Sequence, residues 1–171
     1  MDHTRHANIY SIPGYFQVGL VGAGGIGAMT ALVFAKMGVQ LLNVWDDDEV
    51  SEENIPTQLH QVEHIGFEKV AGLQQTLEAF SDEIFFQGIP ERVTEKTQLG
   101  NFNLFISAVD SITARQQIWI ALQQAGVQWY IDARMAAEKF DMFVLDMSDF
   151  GARERYADGC APRRLIEKGG N

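Results

Sequence analysis

The run GLVGAGGIGAM, residues 19–29, joins a β-rich apolar segment, YFQVGLVGA (15–23), to GIGAMTALVFAKMG (25–38). The second segment is apolar around most of a helical circumference and ends on Gly38, a good C-cap. At the junction Gly22, Gly24 and Gly27 spell G-x-G-x-x-G, with Gly25 inside the turn. The first glycine allows the tight turn, the second lets a phosphate approach the backbone, and the third lets helix and strand pack closely. The helix N-terminus that follows offers unpaired N–H groups to an anion. Such a strand–loop–helix unit cradles a nucleotide without saying which one.

Downstream, VQLLNVWD (39–46) reads as a second strand closed by Asp46, placed where an acidic residue accepts hydrogen bonds from ribose hydroxyls. A polar loop follows over 47–58, in which Asp47 and Glu49 read as solvated. EKVAGLQQTLEAFS (68–81) puts Val70, Leu73, Leu77 and Phe80 on one helical face. Strands are expected at 83–89, 103–109, 127–133 and 140–147, and a helix at 111–126 with Ser111 as N-cap and Gly126 as C-cap. Alternating strands and helices give parallel strands, right-handed crossovers and helices on both faces. Residues 134–139 are too few for a crossover helix, so the last two strands should form an antiparallel hairpin at the sheet's edge. The expected fold is α/β, a Rossmann-like doubly wound, mostly parallel sheet with an antiparallel edge hairpin near the C-terminus. Residues 1–150 form the nucleotide-binding domain. Residues 151–171 form a polar C-terminal tail with room for a short helix.

One domain suits 171 residues. A net charge of −10 argues against a nucleic-acid partner, because most of the surface would repel a phosphate backbone. An anionic ligand must then be held by backbone N–H groups and a few placed cations. The single cysteine, Cys160, excludes an internal disulfide and any CxxC zinc site, so no zinc is expected. The start, MDHTRHANIY, lacks the basic and apolar regions of a signal peptide, and no apolar run is long enough to span a bilayer. The expectation is a cytoplasmic protein with no membrane partner.

The acidic loop carries Asp48, Val50, Asn54 and Gln58, Lys69 lies beyond it, and SAVDSITAR places Asp110 ahead of Arg115. From about residue 16 to residue 133 this constellation resembles the ThiF/MoeB-like family, the ubiquitin-activating-type adenylyltransferases. That family's pattern is a G-x-G-x-x-G loop, a D-x-D-x-V strand end, an N-x-x-R-Q segment, a downstream Lys and an Asp–x4–Arg. The resemblance implies that ATP is the cofactor, bound by Gly22, Gly24, Gly25, Gly27, Asp46, Asp48, Asn54, Gln58 and Lys69. Asp46 would hold the ribose, and Asn54 and Gln58 would order the loop over the phosphates. Lys69 would neutralise charge developing at the α-phosphorus, and Asp110 would hold Mg²⁺. Arg115 would be structural, tying its helix to neighbouring backbone. The implied reaction is attack of a carboxylate on the α-phosphorus of ATP, with loss of pyrophosphate and formation of an acyl-adenylate. The implied partner is a small ubiquitin-like or sulfur-carrier protein, and the implied assembly a homodimer.

The chain departs from the pattern at NIPTQ, where Thr57 stands in place of the Arg that would contact the phosphates. Either another cation substitutes, with Arg134 the candidate, or adenylation is weak or absent. IDARMAAEKF replaces the usual glycine-rich run and looks more like the short bacterial and phage ThiF-like proteins. Two alternatives stay open: an NAD(P)-binding oxidoreductase, which would use the same glycine loop and Asp46, and a non-catalytic nucleotide-binding relative. Cys160 reads as an incidental thiol in preference to a nucleophile activated by Arg163 and Arg164. His60 and His64 read as a solvated pair with no third metal ligand. Trp119 and Trp129 fit a helix core face and a strand end. His3 and His6 flank Arg5, which resembles an N-terminal Arg that reaches a partner's ATP site in some relatives.

Overall fold

In a computed structural model, which describes residues 10–136 and 139–160, the first strand is β1, Gln17–Val21. Val18 and Leu20 are fully buried on one face and Val21 is buried on the other, as a central parallel strand requires. Helix α1, Gly25–Met37, lies against the sheet through Ala28, Ala31 and Ala35, whose small side chains allow close approach. It stops at Gly38, which adopts φ 88°, a left-handed conformation that glycine reaches without steric cost. The chain continues through β2 (Leu41–Trp45), α2 (Lys69–Glu78), β3 (Phe85–Ile89), β4 (Asn101–Ser107), α3 (Ile112–Leu122), β5 (Gly126–Ala136), β6 (Lys139–Asp146) and α4 (Phe150–Cys160).

The sheet order is β3-β2-β1-β4-β5-β6, parallel throughout except for the antiparallel β5–β6 pair. The expected doubly wound fold with an antiparallel edge hairpin is therefore the observed one. The chain steps outward from β1 to β3, then returns to lay β4 on the other side of β1. That reversal opens a crevice beyond the C-terminal ends of β1 and β4, where open α/β sheets bind ligands. One core lies beneath α1 and α2, around Leu20, Leu42, Leu73 and Leu77. The other lies beneath α3 and α4, around Phe105, Ile118, Tyr130 and Tyr156. Each such large side chain, fully buried, contributes roughly 1.5–3 kcal/mol.

The elements differ from the sequence expectation in four places. The β5–β6 ladder runs on to pair Arg134 with Asp141 and Ala136 with Lys139, so the paired strands are longer than expected. Helix α3 ends at Leu122 with Gln123 as its cap, and Gly126 opens β5 instead of ending the helix. Ser111 caps the other end as expected, its Oγ accepting the Ala114 N–H at 3.3 Å. Phe80 lies past the end of α2 and stays exposed, with the Lys36 Nζ 4.6 Å from its ring centroid. The polar stretch after Ser148 contains α4, started by Asp149, whose Oδ1 accepts the Ala152 N–H at 3.0 Å. Tyr156 of α4 is buried against the sheet. His3, Arg5, His6, Arg163 and Arg164 lie outside the described residues, as does the side chain of Cys160. Among the described residues no helix is long and apolar enough to cross a membrane.

Candidate functional site

A cleft of about 330 Å³ opens over the C-terminal ends of β1, β2 and β4. The glycine loop forms its floor. Gly22 adopts φ 102°, and an added Cβ there would meet the Ala108 carbonyl oxygen at 2.6 Å. At Gly27 the added Cβ would lie 1.8 Å from the Gly22 carbonyl oxygen, so α1 meets the loop only through a hydrogen. Gly24 and Gly25 line the cleft itself. At Gly24 the nearest atoms to an added Cβ belong to Gln58, no closer than 3.9 Å, so this position faces open space.

Asp46 closes β2 and is pinned by both oxygens. Oδ2 accepts the Ala23 N–H at 2.6 Å and Oδ1 the Asp48 N–H at 2.9 Å. Burial raises its pKa above 3.8, against the lowering effect of those two N–H groups. Each oxygen keeps a second lone pair for a hydroxyl. Lys69 sits at the start of α2, only 8% exposed, and its Nζ meets Asp48 Oδ2 at 2.8 Å. A buried ammonium in a cleft wall at a helix N-terminus is disfavoured by both desolvation and the helix dipole, which suits it to an anionic ligand. Gln58 lines the cleft, and its buried Oε1 has no partner among the described residues. Such an orphan acceptor fits a ligand hydroxyl, amino group or ordered water. Asp110 is exposed at the cleft, just after β4.

Asn54 is not brought to the cleft. Its Oδ1 accepts the Ser51 N–H at 3.0 Å and its carbonyl accepts the Gln58 N–H at 2.8 Å, so it shapes the loop that delivers Gln58. Thr57 is exposed and outside the cleft lining, though its carbonyl oxygen lies 3.3 Å from the Cβ position of Gly25. Arg134 points the other way. Its β5 neighbours Ala133 and Met135 line the cleft, and strand alternation turns Arg134 to the opposite face. There its Nε donates to Asp132 Oδ2 at 2.6 Å and its guanidinium lies 4.5 Å from the Phe143 ring centroid. The expectation that Arg134 replaces the missing arginine beside the phosphates is corrected by this strand parity.

Asp132, fully buried, gathers Arg134, Arg115, Ser107 Oγ at 2.9 Å and Tyr156 OH at 2.8 Å. Arg115 also donates to the carbonyls of Val109 and Ala133, two residues of the cleft wall. It ties α3 to neighbouring backbone, as expected. The reading of His60 and His64 as a solvated pair is wrong: they are 5% and 1% exposed. His64 Nδ1 accepts the Gln61 N–H at 3.2 Å, which leaves the proton on Nε2 and no lone pair there for a metal.

Sequence reasoning missed Glu91 and Arg92, which line the cleft from the segment after β3. The Arg92 Nε lies 3.1 Å from Asp47 Oδ2, so Asp47 is paired as well as exposed. The signal for both was present, since they follow the C-terminal end of a parallel strand. Among the described residues no three His, Cys, Asp or Glu side chains converge as a metal cage. A lone exposed carboxylate such as Asp110 does suit Mg²⁺, which binds through one or two carboxylates together with ligand phosphates.

The family model described as the ThiF family matches residues 14–149. Ubiquitin-like modifier-activating enzyme 5 of Rattus norvegicus is 26% identical over 129 residues, covering 67% of this chain and 32% of that protein. Adenylyltransferase and sulfurtransferase MOCS3 of Anopheles gambiae is 31% identical over 100 residues, covering 56% of this chain and 23% of that protein. The chain thus spans a third or less of the length of these curated relatives. Among solved structures, E. coli tRNA N6-threonylcarbamoyladenosine dehydratase, TcdA, in complex with ATP superposes with a TM-score of 0.60 at 20% identity, over 67% of this chain and 50% of that one. PaaA superposes with a TM-score of 0.62 at 23% identity, over 72% of this chain and 39% of that one. These superpositions show a shared fold.

Proposed function

This chain belongs to the ThiF family, and from that membership we propose that it uses ATP to adenylate the C-terminal carboxylate of a small ubiquitin-like or sulfur-carrier protein. The observation that carries the reading is Lys69, a buried lysine held by Asp48 in the wall of a cleft floored by the glycine loop. A dinucleotide oxidoreductase would use the loop and Asp46 but has no task for that ammonium.

The phosphates lie over Gly24 and Gly25, where backbone N–H groups and the α1 N-terminus meet them. Asp46 accepts the ribose hydroxyls. The acceptor carboxylate attacks the α-phosphorus, the bond to the bridging oxygen breaks, and pyrophosphate departs with that oxygen. Lys69 stabilises the charge that grows on the α-phosphoryl oxygens, a contribution of positioning and electrostatics that needs no acid–base pair. Asp110 is the residue that would hold Mg²⁺, which when bound neutralises phosphate charge. A homodimer and a cytoplasmic location belong to the same proposal.

Thr57 favours a second reading, nucleotide binding without turnover, because the family arginine is absent and Arg134 faces away. Calorimetric titration with Mg-ATP and with NADH, followed by ATP–pyrophosphate exchange with candidate ubiquitin-like proteins, separates these readings. The expected result is ATP binding and partner-dependent exchange. NADH binding without ATP binding refutes the proposal. ATP binding without exchange under any partner supports the second reading.

A further inference from the structure

We propose that His60 is a positioning residue for the phosphate cradle, turning the Gly24 N–H into the cleft through its bond to the Ala23 carbonyl. The proposal rests on the nucleotide reading above. His60 Nε2 lies 3.0 Å from the Ala23 oxygen beneath the glycine loop. A carbonyl only accepts, so Nε2 carries the proton and Nδ1 is a bare acceptor. That Nδ1 is buried with no hydrogen-bond partner among the described residues. Buried polar atoms ordinarily avoid that state, so the ring's position is not explained by its own satisfaction.

The geometry of the peptide unit supplies the explanation. The Ala23 C=O and the Gly24 N–H belong to one planar trans amide and point in opposite directions. His60 draws the oxygen into the interior, which turns the N–H outward, toward the cleft that Gly24 lines. Among the described residues that N–H has no hydrogen-bond partner. The preceding amide is fixed as well, because the Ala23 N–H donates to Asp46 at 2.6 Å. Ala23 is thereby clamped on both sides, by Asp46 toward the ribose and by His60 toward the phosphates.

The ring that does this is itself held by packing. His60 lies edge-on to His64 with centroids 6.5 Å apart, and His64 stacks on Phe67 at 6.2 Å. The Gln61 N–H on His64 Nδ1 fixes the turn between them. Burial also lowers the pKa of His60, which keeps the ring neutral at neutral pH.

The test compares ATP with adenosine, which lacks phosphates, on the full chain by calorimetric titration. His60→Met removes the donor and keeps bulk. His60→Gln restores an N–H near the position of Nε2. Loss of one aimed donor to a charged phosphate should weaken ATP about tenfold in His60→Met and leave adenosine within about twofold. His60→Gln should recover most of the ATP affinity. Equal losses for ATP and adenosine, or no loss for either, overturn the proposal, as does a His60→Gln no better than His60→Met. Wild type that binds adenosine but gains nothing from phosphates overturns the underlying nucleotide reading and this proposal with it. Should the variants fail to fold, nitrogen-15 shifts of the wild-type imidazole give the answer without mutation. The Nε2–H tautomer and an ATP-induced shift of the Gly24 amide support it. An Nδ1–H tautomer, or a Gly24 amide that ATP does not move, overturns it.

Discussion

Gly24 and Gly27 sit three residues apart in one loop, and replacing each by alanine should give opposite results. An added Cβ at Gly27 would lie 1.8 Å from the Gly22 carbonyl oxygen and 2.7 Å from its carbon, where 3.0 Å is the closest approach such atoms make. Neither contact is the free end of a side chain, so backbone must move by about 1 Å, an overpacking cost of roughly 3 kcal/mol at the upper end of the usual range. Alanine's better helix propensity offsets about 1 kcal/mol of this, because Gly27 lies in the first turn of α1. A net of about 2 kcal/mol lowers the Tm by about 4–8 °C in a chain of this size. The same movement displaces the loop floor, so ATP affinity falls too. An added Cβ at Gly24 meets nothing closer than 3.9 Å, and that neighbour is Gln58, which also lines the cleft. Gly24→Ala should therefore leave the Tm within about 1 °C, while the methyl group occupies space that a phosphate needs and weakens ATP at least about tenfold. Differential scanning calorimetry and ATP titration of both variants test the pair. A Gly27→Ala protein as stable as wild type, or a Gly24→Ala protein that binds ATP as wild type does, refutes the account of the loop.

Arg115→Met leaves the fully buried Asp132 without one of its cations and frees the carbonyls of Val109 and Ala133; a loss of about 3–5 kcal/mol is expected, and a chemical-denaturation midpoint unchanged from wild type would count against it. Thr57→Arg places a cation beside the phosphate loop, next to Gly25, and should raise pyrophosphate exchange roughly ten- to a hundredfold if the new bond tightens in the transition state. Arg134→Ala should lower stability through Asp132 yet combine additively with Thr57→Arg in exchange, since Arg134 lies across β5 from the cleft; coupling between the two would return Arg134 to the site. His60 has a folded pKa depressed below 6.5, chiefly by burial, with Lys69 and His64 adding to the depression and the Ala23 carbonyl and Asp46 opposing it. Its contribution to stability is present above pH 6.5 and is lost as pH falls through the folded value, because the unfolded chain takes up the proton first. The Tm of wild type should fall over that interval more steeply than that of His60→Gln, and equal slopes would refute it.

That the glycine loop, Asp46, Asp48, Gln58 and Lys69 would converge on one cleft was legible from their order along the chain after the first two strands. Arg134 was not. Buried residues fall on both faces of β5, Tyr130 and Asp132 on one and Val127 and Ala133 on the other, so its sequence carries no clean alternation to say which residues face the cleft, and a slip of one residue inverts the answer. Asn54 orders the loop, as the resemblance implies, but does so from behind and outside the cleft lining. The histidines were misjudged because His60 bonds to Ala23 of the glycine loop and His64 packs against Gly72 of α2 and Phe67, tertiary facts that polar flanking residues conceal. Arg92 reaches the cleft because β3 pairs in register with β2, bringing the segment after Ile89 beside Asp47. That contact joins residues far apart in the chain, and neither residue has a periodicity to announce it. The short helix for which the tail had room is α4, and its start could have been set by Asp149, a good N-cap, ahead of the run to Tyr156.

The cleft's own charges have a bearing on traffic through it. Lys69 is paired with Asp48 and Arg92 with Asp47, and Asp46, Glu91 and Asp110 line the same cleft. A free nucleotide polyanion thus meets a mouth of its own sign on a chain of net charge −10. Within a Debye length of about 8 Å at physiological salt, that field retards arrival and hastens departure. Added salt should make capture faster, the reverse of electrostatic steering, and a nucleotide that arrives with its divalent cation has the advantage over one that arrives bare. The same field would act on the leaving side of the proposed reaction. Pyrophosphate, once detached from the adenylate, would be repelled by the rim, and its escape would oppose the reverse reaction.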